Sequence, residues 1–222
     1  MSRPLVYGHR GAPAELPENT LVSFARALER GVDALETDVH QTRDGVIVIA
    51  HDDTLLRTAG VSVRIADVTY RELSQIPLFP VAGAPKEDLA PAFVPTLAEA
   101  LDRFPATFFN IEVKPKSADL ARRVASFLSA RGDAHRVRLA GADHRVLRAI
   151  TPDLWAGQRS SSALEVAKLY FAPLSWIKPG FLPGDALQVP VSQKLGPYTA
   201  RFDGDHFLKR ATAAGLAVHY WT

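Results

Sequence analysis

The sequence predicts an α/β fold of the (β/α)8, or TIM-barrel, class. Three observations carry this: short β-rich runs alternate with amphipathic segments, eight such runs can be counted, and 222 residues suit one domain better than two. The runs cover residues 5–8, 34–39, 46–50, 108–113, 137–140, 154–157, 186–189 and 217–221. Between them Leu21, Phe24, Ala25 and Leu28 recur at helical spacing and stop at Gly31, and Leu120, Val124, Phe127 and Leu128 do so before Gly132. Thr69 with Glu72 and Thr96 with Glu99 have capping-box spacing, in which two orphan backbone N–H groups are satisfied reciprocally, so helices are expected to begin there.

One connection breaks the alternation. Between Asp38 and Val46 there is no room for a crossover helix, and Arg43-Asp44-Gly45 is a turn signal. The run from Val46 is therefore expected to fold back as a hairpin arm that returns His51 toward Asp38. Residues 52–95 carry Pro77, Pro80, Pro85, Pro91 and Pro95 with little periodicity, an irregular insertion after the third strand within a single domain spanning 1–222. The chain stops at Tyr220-Trp221-Thr222, directly on the eighth strand, so the final helix of the barrel is expected to be missing. A truncated chain is the simpler expectation. The other is a homo-oligomer whose second subunit covers the exposed strand.

Composition narrows the function. With 47% apolar and 23% charged residues, a net charge of +2 and no run of five Lys or Arg, no nucleic-acid partner is expected. The absence of cysteine removes disulfides, thiolate metal sites and cysteine nucleophiles. No stretch approaches eighteen apolar residues and no leader-like region follows Met1, so a cytoplasmic protein without stable membrane insertion is expected.

Chemistry concentrates at strand ends. Side chains at i and i+2 of a strand share a face, so Glu36 and Asp38 project together, as do Asn110, Glu112 and Lys114, while Leu35, Val39, Ile111 and Val113 face the helix layer. At the mouth of a barrel three such carboxylates would repel one another, and a hard divalent cation with oxygen ligands, Mg²⁺ or Ca²⁺, relieves this. His9 closes the first strand beside Arg10, and His51 ends the third beside Asp52. Two imidazoles at one mouth suit acid/base work near neutral pH, and Arg10 and Lys114 suit phosphate oxygens.

These residues also resemble a known family. His9-Arg10-Gly11, Pro17-Glu18-Asn19-Thr20, Glu36-Thr37-Asp38, Thr42-Arg43-Asp44-Gly45, His51-Asp52, Pro95-Thr96-Leu97 and Asn110-Ile111-Glu112-Val113-Lys114 resemble, in order, the signature of glycerophosphodiester phosphodiesterases. The terminal Trp221-Thr222 is similar to the end of that family's last strand. The resemblance implies a phosphatidylinositol phospholipase C-like barrel, with Glu36, Asp38 and Glu112 as metal ligands, His9 and His51 as the catalytic pair, and Arg10 and Lys114 as phosphate contacts. It implies metal-dependent hydrolysis of a small glycerophosphodiester to glycerol 3-phosphate and an alcohol, with His9 as first base and His51 as first acid. One departure is Gly141-Ala142-Asp143 where the family carries a Ser-Phe pair, which leaves that side of the pocket shorter.

Other residues read more plainly. Asn19-Thr20 reads as a helix cap, Glu18 as either a support of the site or a solvated group, Gln188 as mouth-lining, Trp221 as a second-tier site residue, and Arg57 as a salt-bridge residue of the insertion. His40 shares a face with Asp38 but is expected to be carried past the mouth, and His135, His144, His206 and His219 have no motif partner. The aromatic segment 170–183 is expected to pack against the barrel; as a wall for an acyl chain it would instead make the protein a lysophospholipase D. A catalytically silent phosphodiester-binding protein is the alternative from another class, and its usual mark, a lost ligand or histidine, is not found.

Overall fold

The computed structural model describes residues 3–80, 90–114, 116–196 and 198–221. The strands are β1 (Tyr7–His9), β2 (Ala34–Gln41), β3 (Ile47–Ile49), β4 (Phe108–Val113), β5 (Val137–Ala140), β6 (Gln158–Ser161), β7 (Ala186–Val189), β8 (Ser192–Leu195), β9 (Tyr198–Arg201) and β10 (Ala217–Tyr220). The helices are α1 (Leu21–Glu29), α2 (Leu56–Ala59), α3 (Tyr70–Leu73), α4 (Leu97–Arg103), α5 (Ala118–Arg131), α6 (His144–Arg148), α7 (Ala163–Phe171) and α8 (Asp205–Ala214). Seven strands run parallel in the order β1-β2-β4-β5-β6-β7-β10. β3 pairs antiparallel with the far end of β2, Val39 opposite Ile49, as the short turn at Arg43-Asp44-Gly45 requires.

The sheet curls. Among the described residues no ladder joins β1 to β10, but their side chains meet inside: the Tyr7 and His219 rings are 5.0 Å apart. Arg138, from β5, donates to the Tyr7 hydroxyl at 3.3 Å and to Gln158 at 2.5 Å, and pairs with Asp185 at 2.8 Å. Strand alternation separates this polar interior from an apolar exterior, where Leu35, Val39, Phe109, Ile111, Val113 and Leu139 lie buried under the helices.

Local sequence explains the helices around the site. Thr20 caps α1 by accepting from the Ser23 N–H, and Phe24 meets Phe104 and Phe109 edge-on at 6.3 and 6.2 Å. The predicted capping boxes at Thr69 and Thr96 are present, and Ser162 with Glu165 makes a third at α7. Gly8 and Gly11 let the β1 loop lie against α1. A Cβ on Gly8 would stand 2.9 Å from that of Ala27, and one on Gly11, which sits at φ 88°, would collide with Ser23.

Three placements differ from expectation. The first strand is Tyr7–His9, with Leu5 and Val6 exposed before it. The sixth strand is Gln158–Ser161 rather than 154–157. Leu154 and Trp155 form a turn on the Thr151 carbonyl, and the buried indole donates to the Gln158 carbonyl at 2.9 Å. Apolarity marked that turn because it plugs the core, whereas the true strand is polar: Gln158 accepts from Arg138 and Arg159 pairs with Glu165 at 2.8 Å. The hairpin β8–β9 was not anticipated.

The insertion is better organised than its prolines suggest. Leu55, Ile65, Leu73, Leu78 and Val94 form a satellite core with Val48 of β3; Pro85, with the rest of 81–89, lies outside the described residues, as does Thr222. Within 170–183, Ile177 and Leu182 pack with Leu187 and Val189, on the opposite side of β7 from Gln188. The buried part of that segment packs on the outer layer, while Phe171, Leu174 and Trp176 are exposed.

Phe24 is fully buried beneath β2 and β4. Phe24→Ala is expected to destabilise the fold by about 3–5 kcal/mol, read as a lowered midpoint of denaturant unfolding with unchanged slope.

Candidate active site

Register builds the site. In the parallel ladders His9 stands beside Glu36, Glu36 beside Asn110, and Asp38 beside Glu112. Glu36, Asp38 and Glu112 each offer a carboxylate oxygen, and these oxygens lie within 4.8 Å of one another. A hard cation with ligands at about 2.0–2.6 Å fits among oxygens so spaced. The Glu36 Oε2 atom is buried without a hydrogen-bond partner, so a cation could take that lone pair. Burial, followed by repulsion from Asp38 and Glu112, pushes the Glu36 carboxyl up to about 8.

Asp38, 1% exposed, is the hub. Lys114 Nζ lies 3.2 Å from its Oδ1 and 3.1 Å from Glu112 Oε2, and Arg10 Nε lies 3.4 Å from its Oδ2. Burial alone would lower the Lys114 pKa, but the charges of Asp38 and Glu112 outweigh it and raise it. Asn19 donates to Asp38 Oδ2 at 3.0 Å and accepts from Thr37 at 2.8 Å. Thr20 is the cap; Asn19, in the left-handed region at φ 56°, orients the hub instead. Arg10 shares that conformation at φ 57°, held by its N–H on the Glu36 carbonyl at 3.0 Å and by the Asn19 N–H on its own carbonyl at 2.9 Å. Arg10 and Asn19 thus meet through their backbones in a conformation uncommon for non-glycine residues.

The two histidines differ in setting. His9 Nε2 lies 3.8 Å from Glu36 Oε2, and its pKa is lowered by burial first and then by the Arg10 charge, which favours the neutral ring. His51 Nδ1 lies 2.7 Å from Asp52 Oδ1. Partial burial of Asp52 is outweighed by the hydrogen bonds from His51 and Arg57, which hold its carboxyl below the usual range. An ionised Asp52 only accepts, so His51 donates from Nδ1 and turns Nε2 outward. His40, expected to pass the mouth, is buried and its Nε2 meets the His51 carbonyl at 3.1 Å.

The remaining candidates divide. Glu18 is buried and takes both nitrogens of the Arg57 fork, at 2.7 and 2.8 Å, and Arg10 at 3.2 Å, so it is not a solvated group. Arg57 thus reaches beyond the insertion that carries it. Gln188 lines the lumen, donating to Asn110 Oδ1 at 2.5 Å. Trp221 extends the β10 ladder through its N–H on the Val189 carbonyl, its side chain 55% exposed; no described contact joins it to the carboxylates. His219 belongs to the lumen around Arg138, where burial and then the Arg138 charge push it down to about 4. At Gly141-Ala142-Asp143, Asp143 caps α6. Asn19 was misjudged because sequence spacing shows which face a residue takes and leaves its partner unnamed; Arg57 is a salt-bridge residue as expected, with Glu18 and Asp52 as the partners the spacing left unnamed.

Comparison with known proteins agrees with this geometry. Residues 9–222 match the Glycerophosphoryl diester phosphodiesterase family. A lysophospholipase D of Rattus norvegicus is 35% identical over 123 residues, 54% of this chain and 39% of that protein. A glycerophosphodiester phosphodiesterase of Caldanaerobacter subterraneus is 37% identical over 114 residues, 50% of this chain and 46% of that protein. The matched stretches thus span less than half the length of these curated relatives. Among solved structures, a glycerophosphodiester phosphodiesterase of Agrobacterium tumefaciens aligns over 97% of this chain and 85% of its own, with TM-score 0.77 and 19% identity. An Oleispira antarctica phosphodiesterase solved with the product sn-glycerol-3-phosphate aligns over 99% and 84%, with TM-score 0.73 and 24% identity. These likenesses establish the shared barrel fold.

The raised Glu36 pKa predicts a pH dependence of stability. Without a cation the folded state holds this proton more tightly than the unfolded chain does, so its contribution is fully present below the ordinary value of 4.5 and is lost as pH rises through about 8. Thermal midpoints measured in chelator should fall across that window, and Glu36→Gln should flatten the fall; parallel profiles for the two proteins would contradict this.

Proposed function

The chain belongs to the glycerophosphoryl diester phosphodiesterase family, which matches residues 9–222, and from this premise we propose that it hydrolyses glycerophosphodiesters to glycerol 3-phosphate and an alcohol. The observation that carries the proposal is the convergence of Glu36, Asp38 and Glu112, with their oxygens within 4.8 Å, beside Arg10, Lys114 and His9. Residues 1–222 act as one domain in this reading, with the insertion at about 52–95 supplying the wall behind His51. Among the described residues no helix is long and apolar enough to cross a membrane; a cytoplasmic enzyme acting on a small diester is the setting we propose.

Glu36, Asp38 and Glu112 would hold one divalent cation, Mg²⁺ or Ca²⁺. When bound, that cation supplies Lewis acidity at a phosphoryl oxygen and lowers the pKa of the attacking hydroxyl. The chain's own groups do the rest. Arg10 and Lys114 hold phosphate oxygens, each as a cation already set against Asp38. His9, neutral by virtue of burial and the Arg10 charge, takes the proton from the glycerol 2-hydroxyl, or from a water in its place, as the oxygen attacks phosphorus. The bond to the alcohol oxygen breaks, and His51, entering this step as the imidazolium with its Nδ1–H held on Asp52, gives that oxygen the proton from Nε2 and is left as the neutral ring. Where the 2-hydroxyl attacks, water opens the cyclic product with the two histidines in exchanged roles.

A second reading has one observation in its favour: the rat relative, 35% identical over 54% of this chain, is a lysophospholipase D. It differs from the first in the leaving or retained lipid portion, not in the chemistry at phosphorus.

Release of glycerol 3-phosphate from glycerophosphocholine should require a divalent cation, cease on chelation and fall by about 10²–10⁴ in kcat on replacing His9 or His51 with Ala. Turnover of lysophosphatidylcholine in place of glycerophosphocholine would select the second reading. Loss of a cation requirement, or His9→Ala with unchanged kcat, would contradict both.

A further inference from the structure

We propose that Arg57 is a positioning residue that ties His51 to Arg10, so that the proton-transfer and phosphate-holding sides of the site are set by one guanidinium; this rests on the function proposed above. Arg57 lies on the short α2 of the insertion, 39 residues from Glu18 in sequence. Its Nε donates to Asp52 Oδ2 at 2.7 Å, and its two terminal nitrogens donate to the two oxygens of Glu18 at 2.7 and 2.8 Å. The other oxygen of Asp52 faces His51 Nδ1 at 2.7 Å, and Glu18 Oε1 also accepts from Arg10 Nη1 at 3.2 Å. The sequence of contacts is therefore His51, Asp52, Arg57, Glu18, Arg10, Asp38, with no link longer than 3.4 Å.

The arrangement is specific to arginine. Three donors of one rigid plane leave in two directions, one to Asp52 and a parallel pair to Glu18, and an ammonium of similar reach satisfies only one of those partners at full geometry. Holding the insertion in place does not require it. α2 has no buried residue, and the insertion is anchored by its own core of Leu55, Ile65, Leu73, Leu78 and Val94 on Val48. A partly buried ion pair is in any case a weak source of net stability, because desolvation offsets most of the attraction. What it does supply is direction: each carboxylate would otherwise be free to rotate, and with Asp52 free the His51 tautomer is no longer fixed.

The test compares the full-length protein with Arg57→Met, Arg57→Lys, Asp52→Asn and the Arg57→Met/Asp52→Asn double variant. The imidazole ¹⁵N spectrum, recorded at alkaline pH where the ring carries one proton and with the His51 signals identified from their loss in His51→Gln, should show that proton on Nδ1 in the wild type and a mixture of tautomers in Arg57→Met. With glycerophosphocholine, kcat should fall by about 10–100-fold and KM should rise in Arg57→Met, while Arg57→Lys restores only part of either. Asp52→Asn should cost much less in the Arg57→Met background than alone, because both changes cut the same connection. An unchanged tautomer with kcat and KM within twofold, and only a lowered thermal midpoint, would make Arg57 a structural tether and overturn the proposal. Should the wild type release no product, the proposed function fails on that result, and the His51 spectrum still decides the role of Arg57. Should Arg57→Met not fold, the spectra and kinetics of Arg57→Lys and Asp52→Asn decide it in the same terms.

Discussion

Three carboxylates with oxygens inside 4.8 Å are the constraint around which this chain is arranged. In water such a cluster would disperse, and in a barrel mouth it cannot. The chain answers with cations and protons. Lys114 stands between Asp38 and Glu112, Arg10 lies against Asp38, and the pKa of Glu36, which has no hydrogen-bond partner for Oε2, is pushed up by burial and by its two carboxylate neighbours. The two residues that reach Asp38 from the first loop, Arg10 and Asn19, do so from left-handed backbone, strain of order 1 kcal/mol or more each. The surrounding contacts hold them there: the Arg10 carbonyl on Asn19, the Arg10 N–H on Glu36, and a loop that only glycine at positions 8 and 11 lets pack on α1.

The same logic extends inward. The lumen is polar well below the site, with Arg138 shared among Tyr7, Gln158, Asp185 and His219, and Asn110 bonded to Gln188. Arg138 and Asn110, the buried members, are tolerable there because each is paired. The apolar material that stabilises the fold sits outside the sheet, where Phe24, Phe109 and Ile111 fill the space under α1, α4 and α5. Support and chemistry thus occupy opposite faces of the same strands, and a residue's parity along β2 or β4 decides which of the two it serves.

That parity is why so much was legible. Glu36 and Asp38, then Asn110, Glu112 and Lys114, stand on one face because a strand has period two, and the missing room between Asp38 and Val46 forces the hairpin that carries His51 back. The apolar rule failed where the inner face is polar: β6 reads as a loop because its residues are Gln-Arg-Ser-Ser, and the apolar Leu154-Trp155 before it reads as the strand. Partners across the chain were not legible. Nothing local distinguishes Asn19 as a ligand of Asp38 from Asn19 as a cap, and Arg57 is an ordinary residue of an insertion until folding brings Glu18 and Asp52 to it.

The central claim is that a divalent cation relieves the carboxylate cluster and takes the place of the proton on Glu36. Calorimetric titration of Mg²⁺ and of Ca²⁺ at pH 7, in two buffers of different ionisation enthalpy, measures binding and proton release together. The account predicts binding with release of close to one proton, a release that disappears in Glu36→Gln and at pH well above 8. Binding with no proton released at pH 7, or no binding by a folded protein, would contradict it.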